Sequence, residues 1–260
     1  MTDSYQLANL AGMCCRRKQI DGRKIDWRRS RPGRSELLTL AAVRAIRESD
    51  CILLPNEKKE ECYAYKIVRQ VVPEIEEKEI CPMQFPMTKD ADVLRAAQDR
   101  CFAEVQARMR QGKTLVFLTI GDPSVYSTYH YIHRRVLAAG MPASMISGVP
   151  SFCAVAARLG ISLADQGEEI HIIPGSYAVE DTADYDGTRI YMKSGKKLEQ
   201  LIGMLRTELV RRRQQGEYLE VYGVSNCGLP EERVMHGIDA LTQAASYLTI
   251  VIVKVKKQDK

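Results

Sequence analysis

The 260 residues contain no apolar run of membrane-spanning length. The longest are 248–253 and 115–120, against the roughly 20 residues a spanning helix needs. The N-terminus has no apolar stretch of the signal-peptide kind, so a soluble, cytoplasmic protein without a membrane partner is expected. None of the eight cysteines (14, 15, 51, 62, 81, 101, 153 and 227) forms a C-x-x-C pair, and no Cys/His group has zinc spacing. In a chain of this length they read as reduced thiols, several of them small core residues, and no protein-built metal site is expected. Aromatics are few, at 7%. There is no internal repeat and no low-complexity tract.

What is present is 45% hydrophobic residues, enough for one large core or two mid-sized ones sharing a cleft. The net charge of +5 suggests nucleic acid until its distribution is read. Residues 1–34 hold nine Lys/Arg and three Asp, and the other 226 residues hold 29 basic against 30 acidic side chains. The basicity therefore belongs to the N-terminal segment, and no nucleic-acid partner is expected for the body.

From Ser35 the pattern is α/β. Helices are expected at 36–47, 62–72, 90–110 (capped by Asp90 or Thr88, ended by Gly112), 126–139 and 151–159, and strands at 51–54, 78–81, 114–119 and 143–146. Alternating helices and apolar strands predict a parallel sheet covered on both faces. Beyond about residue 150 strands dominate (169–173, 188–192, 218–222, 232–236 and 247–254), with one long helix at 196–213. The expectation is a parallel-sheet domain over 35–148 and a mixed-sheet domain over 149–260.

Two strand ends carry the chemistry. The run Thr114-Leu-Val-Phe-Leu-Thr-Ile-Gly-Asp-Pro-Ser-Val-Tyr-Ser-Thr is a buried strand leading to Gly121-Asp122-Pro123 and then a helix. Ligands of open parallel sheets bind outside the carboxyl ends of the strands. Gly121 admits close approach, Asp122 offers an anionic acceptor suited to a cationic amino group, and Pro123 fixes the turn. The alternative is a capped strand-to-helix turn in which Asp122 accepts backbone N–H groups. The second run, Ile146-Ser-Gly-Val-Pro-Ser-Phe-Cys-Ala-Val-Ala-Ala, puts Gly148 before a helix start rich in small residues. It fits either a ligand or ordinary helix–sheet packing.

Together these pieces resemble the tetrapyrrole methylases, and within them the precorrin-2/cobalt-factor II carbon-20 methyltransferases. The resemblance runs from about Ser35 to Lys254 through Phe85-Pro-Met-Thr-Lys-Asp, Gly121-Asp-Pro-Ser-Val-Tyr-Ser-Thr, 147–160, Ile170-His-Ile-Ile-Pro-Gly-Ser and Glu232-Arg-Val. It implies two α/β domains with S-adenosyl-L-methionine in the cleft between them, a tetrapyrrole substrate and a homodimer. Donor contacts implied by the resemblance are Gly121, Asp122, Val125, Pro150, Ser151, Met192, Asn226, Cys227 and Gly228. Cys227 stands where relatives often carry Gly or Ala.

Relatives open with a strand and the loop Gly-Val-Gly-Pro-Gly-Asp, directly before a helix like Ser35-Glu-Leu-Leu-Thr-Leu. Here residues 27–34 read Trp-Arg-Arg-Ser-Arg-Pro-Gly-Arg, and three arginines cannot form a buried strand. Reading the codons of residues 24–33 one base later forces Trp27→Gly and permits Lys-Leu-Ile-Gly-Val-Gly-Val-Gly-Pro-Gly. One lost T in GAT-TCG yields the observed Arg34-Ser35. Residues 1–34 are thus expected to be a frame-shifted start; the alternative is a genuine basic extension.

The implied chemistry is displacement at a sulfonium methyl by an electron-rich macrocycle carbon, for which no catalytic residue is named. Lys193, Lys196, Lys197 and Arg158 are candidate partners for substrate carboxylates, or solvated surface charges. His130 and His133 are candidates to reach a macrocycle-bound cobalt, or are simply face residues of one helix. Other readings are the same fold with a different target (another corrin carbon, diphthine or ribosomal RNA), a nucleic-acid binder using the basic arm, or an inactive product lacking the glycine loop.

Overall fold

Residues 51–54 read Cys-Ile-Leu-Leu, with no polar position to face water, and such a run is stable as a strand only when covered on both faces. In the computed structural model it forms β1 (Cys51–Leu54), buried throughout. It is the middle of a parallel three-stranded sheet, between β2 (Glu79–Pro82) and β3 (Leu115–Phe117). The structure describes residues 35–257 except 57, 87, 89, 176, 177, 244 and 245, and the reading of residues 1–34 lies outside them. The described residues fall in one compact unit.

Strand alternation divides β1 between two cores. Ile52 and Leu54 pack with Ile46 of α1 (Leu40–Glu48) and Tyr65 and Val68 of α2 (Tyr63–Arg69). Cys51 and Leu53 pack with Cys101 and Val105 of α3 (Ala91–Arg110) and Ile132 and Val136 of α4 (Tyr129–Ala138). Asp90 caps α3 as expected, its Oδ1 accepting from the N–H groups of Asp92 (2.9 Å) and Val93 (3.1 Å).

The strand expected at 143–146 is not formed. This segment follows α4 without a ladder, and its residues are largely exposed, Met145 and Ile146 among them. A strand exists only through a neighbour, and among the described residues nothing pairs with it. The outer edge of β3 is in the same state. Its one described neighbour is β1, and its three residues are half-buried where those of β1 are fully buried.

After α5 (Ser151–Leu159) comes a mixed sheet of five strands: β4 (Ile170–Pro174), β5 (Thr188–Met192), β6 (Glu217–Ser225), β7 (Arg233–His236) and β8 (Thr249–Lys257). The order is β4-β5-β8-β6-β7, with β4 and β5 parallel and the other pairs antiparallel. Tyr191, Val251 and Val253 face α6 (Leu198–Gln214) through Leu198, Leu201 and Leu205. Ile190, Ile250 and Ile252 face α5 through Phe152 and Val155. An α/β fold with a parallel sheet followed by a mixed one is thus what the chain adopts. No helix among the described residues is long and apolar enough to cross a membrane.

Candidate functional site

Asp122 lies just beyond β3 and is buried. Its Oδ1 accepts from the N–H (2.8 Å) and hydroxyl (2.5 Å) of Ser124, and its Oδ2 from the Ser147 hydroxyl (2.6 Å) and the Gly148 N–H (2.9 Å). The Ser124 hydroxyl first, then that of Ser147, holds this carboxyl far below the usual carboxylate range. The protein's own donors fill its acceptor positions, so acceptance of backbone N–H groups describes it, with two hydroxyls added. The carboxylate laces the loop at 121–124 to the loop at 147–150. Glycine permits the approach: a Cβ on Gly148 would sit inside contact distance of the Gly121 carbonyl oxygen. Gly121 itself has φ +78°, and a Cβ there would lie 3.6 Å from the Ser151 nitrogen. Gly121, Asp122, Pro150 and Ser151 are therefore gathered at the start of α5.

The remaining expected residues come from two further loops. Among the described residues three non-glycines have positive φ: Tyr126 (47°), Lys193 (60°) and Asn226 (50°). Each is next to or part of an expected donor contact, Val125, Met192 and 226–228 respectively. A left-handed non-glycine costs about 1–3 kcal/mol and persists only where its surroundings over-determine it, which is common at ligand sites. The restraints are visible. Lys193 Nζ donates to the Tyr126 carbonyl (3.0 Å), the Tyr126 hydroxyl to the Ile172 carbonyl (3.2 Å), and the Ser246 hydroxyl to Asn226 Oδ1 (2.6 Å). Val125, Met192 and Cys227 pack into one apolar cluster with Phe152 and Val155.

Sequence reasoning passed over the supports of these loops. Gly175 donates its N–H to the Met192 carbonyl (2.7 Å), and a Cβ on it would meet the Ser194 hydroxyl at 2.5 Å. The Pro174-Gly175 pair is the signal that marked it. Glu232 accepts from Arg158 Nε (2.6 Å) and from the Gly228 N–H (2.8 Å), so Arg158 is engaged in an ion pair. Lys193 is partly desolvated, which lowers its pKa, whereas Lys196 is exposed. His130 Nε2 lies 3.3 Å from the Ser124 carbonyl and His133 Nδ1 3.1 Å from the Tyr129 hydroxyl. Both histidines have local partners, and no metal-ligating cluster occurs among the described residues.

Comparison with known proteins matches this architecture to a family. A model of the tetrapyrrole (corrin/porphyrin) methylases covers residues 32–245. A probable cobalt-precorrin-2 C(20)-methyltransferase of Methanocaldococcus jannaschii is 28% identical over 226 residues, 85% of this chain and 92% of that protein. A precorrin-4 C(11)-methyltransferase of Rhodococcus erythropolis is 28% identical over 215 residues, 79% of this chain and 78% of that protein. In fold, the chain is similar to a uroporphyrin-III C-methyltransferase from Thermus thermophilus solved with S-adenosylhomocysteine (TM-score 0.56, 18% identity, 86% of this chain and 94% of that one). With most of its length matched, from just before α1 to beyond β7, the chain belongs to the tetrapyrrole (corrin/porphyrin) methylases.

Proposed function

We propose that the protein methylates carbon 20 of precorrin-2 or cobalt-factor II, using S-adenosyl-L-methionine, in cobalamin biosynthesis. The observation carrying this is the convergence of three restrained loops on one apolar cluster: Gly121–Val125 beside Pro150 and Ser151, then Met192, then Asn226–Gly228. These residues fit the methyl donor: an apolar cluster for the adenine, bordered by loop backbone. The donor supplies a methyl group on a sulfonium, already activated. The chain's part is to orient donor and macrocycle and to keep water out, and orientation alone can lower a barrier by about 7–11 kcal/mol. Lys193, half-buried at the rim, is the cation we assign to a substrate carboxylate. Homodimerisation and a cytoplasmic location belong to the same reading.

The choice of carbon 20 rests on Phe85-Pro-Met-Thr and Asp122-Pro-Ser-Val-Tyr-Ser-Thr, and on the relative named for that carbon. A second target, carbon 11 of precorrin-4, is favoured by the relative of equal identity named for it. The experiment is titration of the full chain with S-adenosylhomocysteine, followed by incubation with S-adenosylmethionine and each of the three tetrapyrroles. Saturable binding and one methyl added to precorrin-2 or cobalt-factor II are expected. Methylation of precorrin-4 alone would move the target to carbon 11. No binding, either here or with the glycine-loop sequence restored at 24–33, would overturn the donor site.

A further inference from the structure

The loop at 226–228 has an unusual backbone: Asn226 at φ +50° and Gly228 at φ +88° are both left-handed. Two short turns follow, the Leu229 N–H donating to the Asn226 carbonyl (2.8 Å) and the Glu232 N–H to the Leu229 carbonyl (3.1 Å). They bring the Glu232 carboxylate back under the loop, where Oε2 accepts the Gly228 N–H at 2.8 Å. The other oxygen, Oε1, accepts from Arg158 Nε at 2.6 Å. The Glu232 side chain is 12% exposed, so both oxygens act largely out of water, where charge-assisted hydrogen bonds are strongest. Arg158 belongs to the last turn of α5. The first turn of the same helix holds Ser151, next to Gly121, and Phe152, and Phe152 and the mid-helix Val155 pack in one cluster with Met192 and Cys227.

We propose that Glu232 is a positioning residue for the methyl-donor site and that Arg158 fixes it, tying the Asn226–Gly228 loop to α5. One rigid helix then sets the spacing of all three donor-contacting loops: by its start at Gly121, by its middle at Met192, and by its end, through Arg158 and Glu232, at Gly228. Neither side chain touches the donor. Their effect passes through the Gly228 backbone. The inference rests on the donor-site reading above, but its geometry is independent of it.

The test uses the full chain with Glu232→Gln, Arg158→Gln and Arg158→Lys. Glu232→Gln keeps an acceptor for the Gly228 N–H but loses the charge that holds Arg158. Three quantities are read: S-adenosylhomocysteine affinity, melting temperature, and the alkylation rate of Cys227 located by peptide mass. Glu232→Gln and Arg158→Gln are expected to weaken affinity about tenfold, as loss of a charged hydrogen bond does. They are also expected to speed Cys227 alkylation, with the melting temperature lowered by a few degrees and the chain still fully folded at the assay temperature. Arg158→Lys should recover part of both. Unchanged affinity and unchanged Cys227 reactivity would overturn the proposal, as would an affinity loss accounted for by global unfolding. If the parent chain binds no S-adenosylhomocysteine, the donor reading falls, and the Cys227 rates alone decide whether the tether exists.

Discussion

Asp122 concentrates more restraint than any other carboxylate near the site, with two hydroxyls and two backbone N–H groups on its two oxygens. Its folded-state pKa lies below the unfolded one. Its stabilisation is therefore complete above the ordinary carboxylate range and is lost only as pH falls through the depressed value. Asp122→Asn is expected to lower the melting temperature at pH 7, and the gap from the parent should narrow as pH falls below 4. A gap independent of pH would show that ionisation of Asp122 is not what holds the loops. Gly148 is the other half of the contact. Gly148→Ala pushes a methyl against the Gly121 carbonyl, and overpacking of this kind costs about 1–3 kcal/mol. We expect both stability and S-adenosylhomocysteine affinity to fall. Gly148 was marked in the sequence only as the glycine before a helix start rich in small residues, and its contact with the Gly121 loop was not legible. Nor was the arrangement of Tyr126 and Lys193, because a bulky left-handed residue leaves no local mark and is imposed by distant partners.

Between elements, the firmest attachment in the mixed sheet is polar. Arg189 of β5 and Glu208 of α6 are both fully buried and paired twice, Nη1 to Oε2 at 2.8 Å and Nη2 to Oε1 at 2.7 Å. Arg212 adds a bond from Nε to the same carboxylate at 2.7 Å. Removing one partner leaves the others charged in a dry interior, so Glu208→Ala is expected to cost about 3–5 kcal/mol by chemical denaturation. A loss under ~1 kcal/mol would mean that water or Glu217 replaces it. Nothing in the sequence singled out this network, since an arginine within a strand and a glutamate in a helix are ordinary when read locally. The strand 51–54, by contrast, was legible to the residue because every position in it is apolar. The segment 143–146, Ala-Ser-Met-Ile, is also mostly apolar and is not a strand, because a ladder needs a neighbour that local sequence cannot supply.

At the scale of the whole molecule, β3 has one neighbour and segment 143–146 none among the described residues, and the sequence at 24–33 departs from the strand and glycine loop that the family resemblance implies there. Replacing those ten residues by Lys-Leu-Ile-Gly-Val-Gly-Val-Gly-Pro-Gly introduces Leu, Ile and two Val in place of arginine-rich sequence, and each such side chain that is buried stabilises by about 1.5–3 kcal/mol. The replacement is expected to raise the melting temperature by roughly 5 °C or more. No rise, together with an unbroken gene that lacks the overlapping glycine codons, would favour a genuine basic extension. The family and the general architecture could be read from residues 35–254 without this segment, because the motifs that carry them lie at other strand ends. The mixed sheet has a further consequence, in time rather than space. Its central strand, β8, is the last of the eight described strands to be made, and among them it alone joins the β4–β5 pair to the β6–β7 pair. At about 5–20 residues per second, the roughly 57 residues between Met192 and Thr249 take about 3–11 s to emerge. Throughout that interval β5, the strand that ends in Met192, waits on the ribosome with a bare edge. The mixed sheet is thus completed in a single late event, and a nascent chain stopped between β7 and β8 leaves the β4–β5 and β6–β7 pairs unjoined for the cell's quality control to find.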